Sequence, residues 1–309
     1  MYKFILKRLL ALIPVLICVV LLIYAIMEFT PGDPAVMTLG GMASEEQKAE
    51  WREEQGLNKP FMIRYADYVI GMVQGDLGTS YRTSKPVWQE IISRLPATFE
   101  LAVASIMIAL ILAVPIGIIS AIRQNTIFDY TGMVAAMLGI AMPSFWLGML
   151  LILLFSVNLS WLPSGGYGSF KYLVLPAVTM GTCCAANIAR ITRSSMLEII
   201  RQDYIRTARA KGVSSRKVIL KHALKNSWIP IITVAGLQFG TLLGGIVVVE
   251  NVFAWPGLGN YLLTSINGKD TPAVLGSIVV FTAIFGLVNL LVDIIYAFVD
   301  PRIKAQYSR

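Results

Sequence analysis

The sequence has few charged residues and very little histidine or cysteine, and each shortage argues against a class of protein. Charged residues make up 14% of the chain, whereas a soluble globular domain carries about a quarter. The single histidine, His222, has no partner motif for acid–base catalysis. The three cysteines show no spacing that is typical of a metal site or a disulfide framework. A soluble hydrolase and a cysteine-based binding module are therefore disfavoured.

Signatures of nucleotide binding and of catalysis are missing as well. No Gly-x4-Gly-Lys-Ser/Thr occurs, and the glycine-rich stretch 164–168 lacks the lysine, so it predicts a turn. His-Glu-x-x-His and Gly-x-Ser-x-Gly are also absent. We therefore expect this chain to be neither an enzyme nor the holder of a cofactor or a metal. Its net charge of +8 does not indicate nucleic acid, because the basic residues flank apolar runs.

What the chain has in abundance is apolar sequence, with 56% hydrophobic residues and a mean hydropathy of +0.68. A helix needs roughly 17–25 apolar residues to cross a bilayer. Six runs satisfy this length, and the N-terminal one is read as an uncleaved first span. The runs are Leu9–Met27, Leu101–Ile122, Met133–Val157, Leu173–Ala189, Trp228–Val249 and Ala273–Val299. The sequence thus predicts an all-α membrane protein with six transmembrane helices.

The distribution of Lys and Arg predicts the orientation. With the N-terminus inside, the inner segments hold 17 basic residues and the outer segments hold 9. Cytoplasmic loops of membrane proteins are enriched in Lys and Arg. We therefore expect both termini on the cytoplasmic side. The predicted domains are an N-terminal helix at 1–27, an extracytoplasmic cap at 28–100 and a transmembrane core at 101–309 with an inner loop at 190–227.

Both long hydrophilic segments contain signals for short structural elements. In the outer one, Pro31-Gly-Asp-Pro34 predicts a turn, and Ser44 followed three residues later by glutamine predicts a capping box. In the inner one, Asp203 is the expected N-cap of a short helix and Gly212 its expected C′ residue. Ser214 or Ser215 would then cap a second helix, which gives a helix–turn–helix on the cytoplasmic face.

Small and polar residues cluster in the fifth predicted span. Gly236, Gly240 and Gly244 recur every four residues and share one helix face, which favours close helix packing. The alternative is a translocation path along the same helix, touched by Gln238 and Thr241. Ser144 of the third predicted span is added to that candidate path.

The order of several short motifs resembles one known family, the inner-membrane permeases of binding-protein-dependent ABC importers, in the dipeptide/oligopeptide/nickel branch. The resemblance runs essentially from end to end. Its motifs are Phe4-Ile-Leu-Lys-Arg-Leu-Leu10, Pro31-Gly-Asp-Pro34, Gly56-Leu-Asn-Lys-Pro60, Gly75-Asp-Leu-Gly78, Leu95-Pro-Ala-Thr98, Trp161-Leu-Pro163, Tyr172-Leu-Val-Leu-Pro176, Arg193-Ser-Ser-Met196, Phe253-Ala-Trp-Pro-Gly-Leu-Gly259 and Asn289-Leu-Leu-Val-Asp293.

The strongest match is the inner loop, which in these permeases couples transport to the ATPase. The general family pattern is Glu-Ala-Ala-x3-Gly-x9-Ile-x-Leu-Pro, and this chain keeps one alanine, the glycine and the leucine. It departs at the Glu, the first Ala, the Ile and the Pro, where it has Arg206, Thr207, His222 and Lys225. The resemblance assigns ATPase coupling to Asp203, Tyr204, Arg206, Thr207, Ala208, Arg209, Ala210, Lys211 and Gly212.

The resemblance also implies a fold, partners and a location. The fold would be that of a type I ABC importer permease in the inner or plasma membrane of a bacterium. The partners would be a second homologous permease, two ATPase subunits that bind ATP and Mg²⁺, an extracytoplasmic solute-binding protein and the lipid bilayer, with no nucleic acid. Di- or oligopeptide is the expected substrate, and nickel or a metal chelate is the alternative. A stand-alone ion-coupled carrier is a more distant alternative.

Overall fold

The structure is a computed structural model that describes the backbone of residues 2–299 and the side chains of residues 5–294. Within that part of the chain, helices follow one another with short connections. The helices are α1 (Tyr2–Phe29), α2 (Pro34–Leu39), α3 (Glu45–Glu54), α4 (Phe61–Val73), α5 (Val87–Ile122), α6 (Ile127–Ala141), α7 (Ser144–Leu151), α8 (Phe170–Ile200), α9 (Asp203–Ala210), α10 (Ser215–Lys217), α11 (Leu224–Val252), α12 (Leu258–Asn267) and α13 (Thr271–Val299).

Five helical stretches in the described residues are long and apolar enough to cross a membrane, and a bent pair makes a sixth. The five are Ile5–Phe29, Val87–Ile122, Phe170–Ile200, Ser215–Val252 and Thr271–Ile294. They contain five of the six predicted apolar runs, apart from the end of the last run. The prediction of an all-α membrane protein is therefore confirmed.

The third predicted span is not one straight helix. Its run is divided between α6 and α7, which are bent by 103° at the break between them. Met142 has extended backbone angles and Pro143 is the N-cap of α7. Proline lacks an amide donor and disfavours the helical conformation of the preceding residue, which explains the break. A π-helical turn at Ile152–Asn158 follows α7.

The fourth span extends beyond its predicted end into the predicted inner loop. Helix α8 continues to Ile200, although Ala189 is the last residue of the apolar run. The charged residues after this point occur on an amphipathic helix, whose buried side is formed by Ile188, Thr192 and Met196. Hydropathy alone therefore underestimates the length of this helix, because a hydropathy average combines the buried face with the exposed face.

Contacts between Cα atoms divide the chain into two units, each with its own packing. The first consists of the chain up to Thr98 together with Pro256–Leu287, and the second of Phe99–Trp255 together with the chain from Val288. The predicted cap at 28–100 lies mostly in the first unit, which also contains α1 and α12. The predicted domain division remains a prediction.

The first unit is held together by a buried carboxylate and a buried ammonium from adjacent residues. Asp270, 2% exposed, accepts hydrogen bonds from the Ser80 hydroxyl and from the Tyr81 amide at 3.1 Å. Lys269, 6% exposed, donates to the carbonyl oxygens of Met27 and Thr30 at the end of α1. At the ends of helices and turns, some backbone amides and carbonyls have no partner within the element. The Asp270 and Lys269 side chains provide hydrogen-bond partners for such groups.

The turn signals of the outer segment are confirmed in the same unit. Gly32 has a φ of +122° in the bend before α2, and Asp33 caps α2 by accepting from the Ala35 amide at 3.0 Å. Ser44 and Gln47 form both bonds of the capping box at the start of α3. Arg52 of α3 makes an ion pair with Asp33, which joins the two helices.

In the second unit, the glycine-rich turn packs against the segment after α11. Gly166 has a φ of +120° and donates its amide to the Phe253 carbonyl at 2.9 Å. A Cβ on Gly165 would lie 2.4 Å from the same oxygen, so only glycine fits there. The Tyr167 ring meets the buried Trp255 ring edge-on, with 4.9 Å between centroids. The prediction of a turn at 164–168 is therefore confirmed.

Two substitutions of Asp33 should separate its role as the N-cap of α2 from its role in the ion pair with Arg52. Asp33→Asn retains a capping acceptor but loses the ion pair, and Asp33→Ala loses both. We expect Asp33→Ala to destabilise residues 34–54 by about 1 kcal/mol more than Asp33→Asn, because a helix loses its N-cap. Hydrogen exchange of the amides at 34–54 measures this difference, and equal protection in the two variants would contradict it.

The same pair predicts a pH dependence. The hydrogen bond from Arg52 holds the pKa of the Asp33 carboxyl below its usual range. A lowered pKa stabilises the folded state above the pKa of the unfolded carboxyl, and the stabilisation is lost as the pH falls through the folded-state value. Exchange protection at 34–54, corrected for intrinsic rates, should therefore fall on acidification below about pH 4. Asp33→Asn should lack this component of the pH dependence.

Candidate functional site

The predicted coupling helix is present as α9, with one correction at its start. The N-cap is Gln202 and not Asp203, because the Gln202 carbonyl accepts from the amides of Ile205 and Arg206 and its backbone is extended. Asp203 is the first helical residue, and the N-cap residue Gln202 makes no side-chain capping bond. The Asp203 carboxylate lies in the first turn, where negative charge interacts favourably with the helix dipole.

The C-terminal end of α9 is as predicted. Lys211 is the C-cap, and Gly212 at C′ has a φ of +75°. The Gly212 amide bonds to the Arg209 carbonyl at 3.0 Å and the Val213 amide to the Ala208 carbonyl at 3.2 Å. These two bonds form a Schellman motif, which ends a helix abruptly and satisfies two of its last carbonyls.

The second helix of the predicted helix–turn–helix is not a separate element. Ser214 occupies the N-cap position of α10, without a side-chain capping bond. From there the chain continues through a π-helical turn, Val218–Ala223, directly into α11. The end of α9 is therefore joined to a membrane span by only four residues, 211–214, before helix resumes.

Helix α9 is attached to the second unit by one buried side chain that the sequence analysis did not select. Ile205 is fully buried and forms a cluster with Ala121, Met196, Val218 and Ala223. We call these five residues the coupling core; they come from α5, α8, α9 and the chain entering α11. The helical spacing of Ile205 and Ala208 was the signal for a buried face.

Most of the predicted coupling residues lie on the exposed side of α9. Ala208 is half-buried and packs against the coupling core. The exposed ones are Asp203, Tyr204, Arg206, Thr207, Arg209, Ala210, Lys211 and Gly212. Exposed Arg216, Lys217, Lys221 and Lys225 follow in the chain entering α11. This surface is therefore strongly basic and available for contact with another protein.

A hydrogen bond provides a second attachment of α9. The Asn226 side-chain amide donates to the Tyr204 hydroxyl at 2.7 Å and to the His222 carbonyl at 3.2 Å. Asn226 belongs to the segment His222–Asn226 that resembles the family pattern. Because Asn226 lies in α11, this bond links the exposed side of α9 to the span that follows it.

A buried ion pair connects α8 to α6, and its acidic member was also missed. Arg193 donates to both oxygens of Asp129, at 2.7 Å from Nε and 2.6 Å from Nη2. Asp129 is 2% exposed and also accepts from the Asn125 amide at 3.0 Å. This bidentate geometry orients the two side chains. The pair joins α8, which contributes Met196 to the coupling core, to the helix before the Pro143 bend.

The candidate path residues lie on two helices that pack against each other, α7 and α11. Gln238 is half-buried and Thr241 exposed, and the Thr241 hydroxyl donates to the Gln238 carbonyl at 2.9 Å. Ser144 is half-buried at the start of α7. On α11, a Cβ at Gly236 would lie 2.8 Å from Val292, whereas a Cβ at Gly244 would meet no atom within 4 Å. Close packing therefore accounts for Gly236 but not for Gly244.

Comparison with known proteins gives concordant matches over nearly the whole chain. A family described as "Binding-protein-dependent transport system inner membrane component" matches residues 113–305. Its N-terminal companion family, "Binding-prot-dependent transport system membrane comp, N-term", matches residues 1–102.

Relatives of assigned function align almost end to end. The dipeptide transport system permease protein DppB of Alkalihalophilus pseudofirmus is 43% identical, over 98% of this chain and 100% of that protein. The glutathione transport system permease protein GsiC of Salmonella choleraesuis is 44% identical, over 98% and 99%. DppB of Escherichia coli K12 is 40% identical, over 98% and 99%.

Solved structures support the fold. The inward-facing MetNI methionine ABC transporter superposes with a TM-score of 0.57 at 20% identity, over 69% of this chain and 97% of that one. At this identity the likeness concerns the architecture of the helices alone. With the family match over most of the chain, the apolar helices described above establish that the protein is a multi-pass member of the binding-protein-dependent transport system inner membrane components.

Proposed function

We propose that the chain is one permease subunit of an ATP-driven importer that brings di- or oligopeptides into a bacterial cell. The observation that carries this proposal is the end-to-end similarity to two dipeptide permeases and a glutathione permease. Glutathione is itself a short peptide, so these relatives agree on the substrate class. The exposed, capped helix α9 supplies the contact that such a subunit needs with its ATPase.

The proposed orientation has both termini in the cytoplasm. It rests on the excess of Lys and Arg in the inner segments, including the basic surface around α9. The cap at 28–100 then faces the extracytoplasmic side, where a solute-binding protein would deliver substrate. Labelling of a Lys217→Cys variant by an impermeant thiol reagent added outside intact cells would contradict this orientation.

In the proposed mechanism, this chain has no catalytic role and transmits movement. Two ATPase subunits hold ATP and Mg²⁺, and each contacts one permease, this chain or a second homologous one. Closure of the ATPases displaces α9. Ile205 and the coupling core pass the displacement to α5, α8 and α11, because tightly packed side chains move together. The Asp129–Arg193 pair extends the connection to α6.

Within this mechanism, the substrate path would follow the exposed side of α11. Thr241 and Gln238 offer hydroxyl and amide groups, and Gly244 leaves open space one turn away. Ser144 lies at the start of α7, next to the Pro143 bend. A peptide carries a positively charged amino terminus and a negatively charged carboxyl terminus. Uncharged polar groups suit such a substrate, because they can contact both termini without binding either of them too tightly.

Substitution of Gly212 tests the role of α9. Apart from its two chain neighbours, no described residue has an atom within 4 Å of a Cβ at this position, so the effect of a substitution is on backbone conformation and not on packing. Gly212→Val should abolish peptide-stimulated ATPase activity of the reconstituted importer, because a β-branched residue disfavours positive φ. Gly212→Asn is the matched control, since asparagine tolerates this conformation, and it should retain most activity. Unchanged coupling in Gly212→Val would refute the assignment.

The Asp129–Arg193 pair gives a second test. Asp129→Ala leaves the Arg193 charge without its partner and should destabilise the complex by about 3 kcal/mol, the lower end for a buried pair. The lower end applies because 26% of the Arg193 side chain is exposed. Thermal denaturation and peptide-stimulated ATPase activity measure the two effects.

Two further variants serve as controls. The exchange Asp129→Arg with Arg193→Asp should restore part of the loss. Arg190→Ala, on the same helix, removes an exposed arginine whose side chain bonds, among the described residues, only to Asn187, and it should change little. If Arg190→Ala and Asp129→Ala behave alike, the pair has no special role.

Uptake measurements decide the substrate. Cells that lack their own importers would express this chain with its genomic neighbours and receive labelled dipeptide, glutathione or nickel. We expect dipeptide uptake that an ATPase-dead partner abolishes. Uptake of nickel alone would agree with the proposed mechanism but would show that the substrate is nickel and not a peptide. Uptake that persists without the ATPases would indicate an ion-coupled carrier and contradict the proposed function.

A further inference from the structure

Helix α4 has apolar side chains on two sides, although it lies in the hydrophilic segment between two spans. One side packs into the first unit. Its residues Phe61, Tyr65, Tyr68, Val69 and Met72 contact a core that includes Val20 and Tyr24 of α1. The packed side explains how α4 is attached to the first unit. It does not explain why the opposite side is also apolar.

The opposite side of α4 is apolar and exposed in the part of the chain that the structure describes. Exposed fractions are 65% for Met62, 50% for Ile63, 56% for Ile70 and 78% for Val73, with exposed Ala66 among them. At 100° per residue, these five positions occupy an arc of about 100°. Single exposed apolar residues are ordinary on soluble proteins, but a continuous row on a helix of 13 residues indicates a partner.

Charged residues are confined to one edge of the helix. Asp67 pairs with Lys59 at 3.0 Å, and Arg64 pairs with Glu28 at the end of α1. Arg64 also bonds to the Lys59 carbonyl at 3.0 Å. Asp67 and Arg64 therefore separate the exposed apolar row from the packed side on one flank. A helix that lies in a membrane interface has this arrangement, with an apolar face toward acyl chains and charges toward headgroups.

Contacts with α1 place α4 beside the membrane-crossing part of that helix. The Tyr24 ring lies 5.4 Å from the Phe61 ring and 6.3 Å from the Tyr65 ring, between centroids. The Tyr65 hydroxyl donates to the Ile17 carbonyl at 3.1 Å. Ile17 precedes the end of α1 at Phe29 by twelve residues, about 18 Å at 1.5 Å per residue. It lies near the middle of the apolar run Leu9–Met27.

We propose that α4 is embedded in the lipid leaflet at the C-terminal end of α1, with Met62, Ala66, Ile70 and Val73 against the acyl chains. Under the proposed orientation this is the outer leaflet. Lipid is favoured over a protein partner because α1, against which α4 packs, is itself apolar and exposed over this length, with Leu21, Leu22 and Ile26 uncovered. The apolar row of α4 continues that surface, and the exposed Lys59–Asp67 pair at its edge suits headgroups.

The consequence is that the segment between the first two spans is not wholly aqueous. Helix α3 carries the polar and acidic surface, whereas α4 would anchor the segment in the membrane. The anchor would also restrain the start of α4 against α1, because Arg64 pairs with Glu28 at the end of α1.

Nitroxide labels report this placement directly. The complete transporter would be prepared in lipid nanodiscs from a background in which Cys18, Cys183 and Cys184 are replaced by alanine and uptake is retained. Labels go on Ile70→Cys and, separately, Val73→Cys. Glu53→Cys on α3 is the matched control, since Glu53 is an exposed helical residue on the polar part of the segment. Met62→Cys is a replacement if either variant fails to assemble.

The expected result is a severalfold higher ratio of oxygen to nickel-chelate collision at Ile70 and Val73 than at Glu53, since oxygen concentrates in acyl chains and the chelate in water. Equal chelate access at Ile70 and Glu53 would place the row in water. Low access to both reagents, with an immobilised spectrum, would mean that protein covers it, such as the second permease. Either of these two outcomes overturns the proposal.

Discussion

The absence of water from the bilayer is the constraint on which most of this structure depends. A backbone amide or carbonyl in hydrocarbon must find its partner within the protein, and continuous helix is the solution that the spans adopt. Hydroxyl groups follow the same rule. Ser105, Thr179, Thr192 and Ser277, all buried, each donate to the carbonyl four residues before them. These four hydroxyl groups thus occur within the spans without leaving their protons unpaired.

The same constraint makes the α6–α7 break informative. Pro143 interrupts the backbone bonds, and the chain turns by 103° instead of kinking slightly. Neighbouring helices can support such a break, since α7 packs against both α8 and α11. The break places Ser144 at the start of a short helix, and the Asp129–Arg193 pair holds the helix on its other side. The acidic member of a charged pair, a proline and a candidate path residue are thereby arranged along one stretch of chain.

Attachment of α9 combines a small apolar contact with a basic exposed surface. Ile205 and Ala208 fix the helix to the coupling core, and the Schellman end at Gly212 keeps it short. Tyr204 accepts a hydrogen bond from Asn226, and the remaining side chains of α9 are exposed and available to another molecule. A rigid element with one buried side suits the transmission of force, because its contacts change as a unit and not one at a time. Helix α4 uses a related plan on the first unit, with one side packed and the other free for lipid.

The sequence by itself determined the features that depend on neighbours along the chain. These include five spans, the capping box at Ser44, the left-handed residue Gly212 and, through motif order, the family. It misplaced the N-cap of α9 by one residue, and it ended α8 too early because that end depends on which face of the helix becomes buried. Only the tertiary structure decided that Asp129 pairs with Arg193, that Ile205 anchors α9 and that α4 lies against α1. The physical reason is that these contacts join residues far apart in the chain, whereas helical periodicity reports burial without naming the partner.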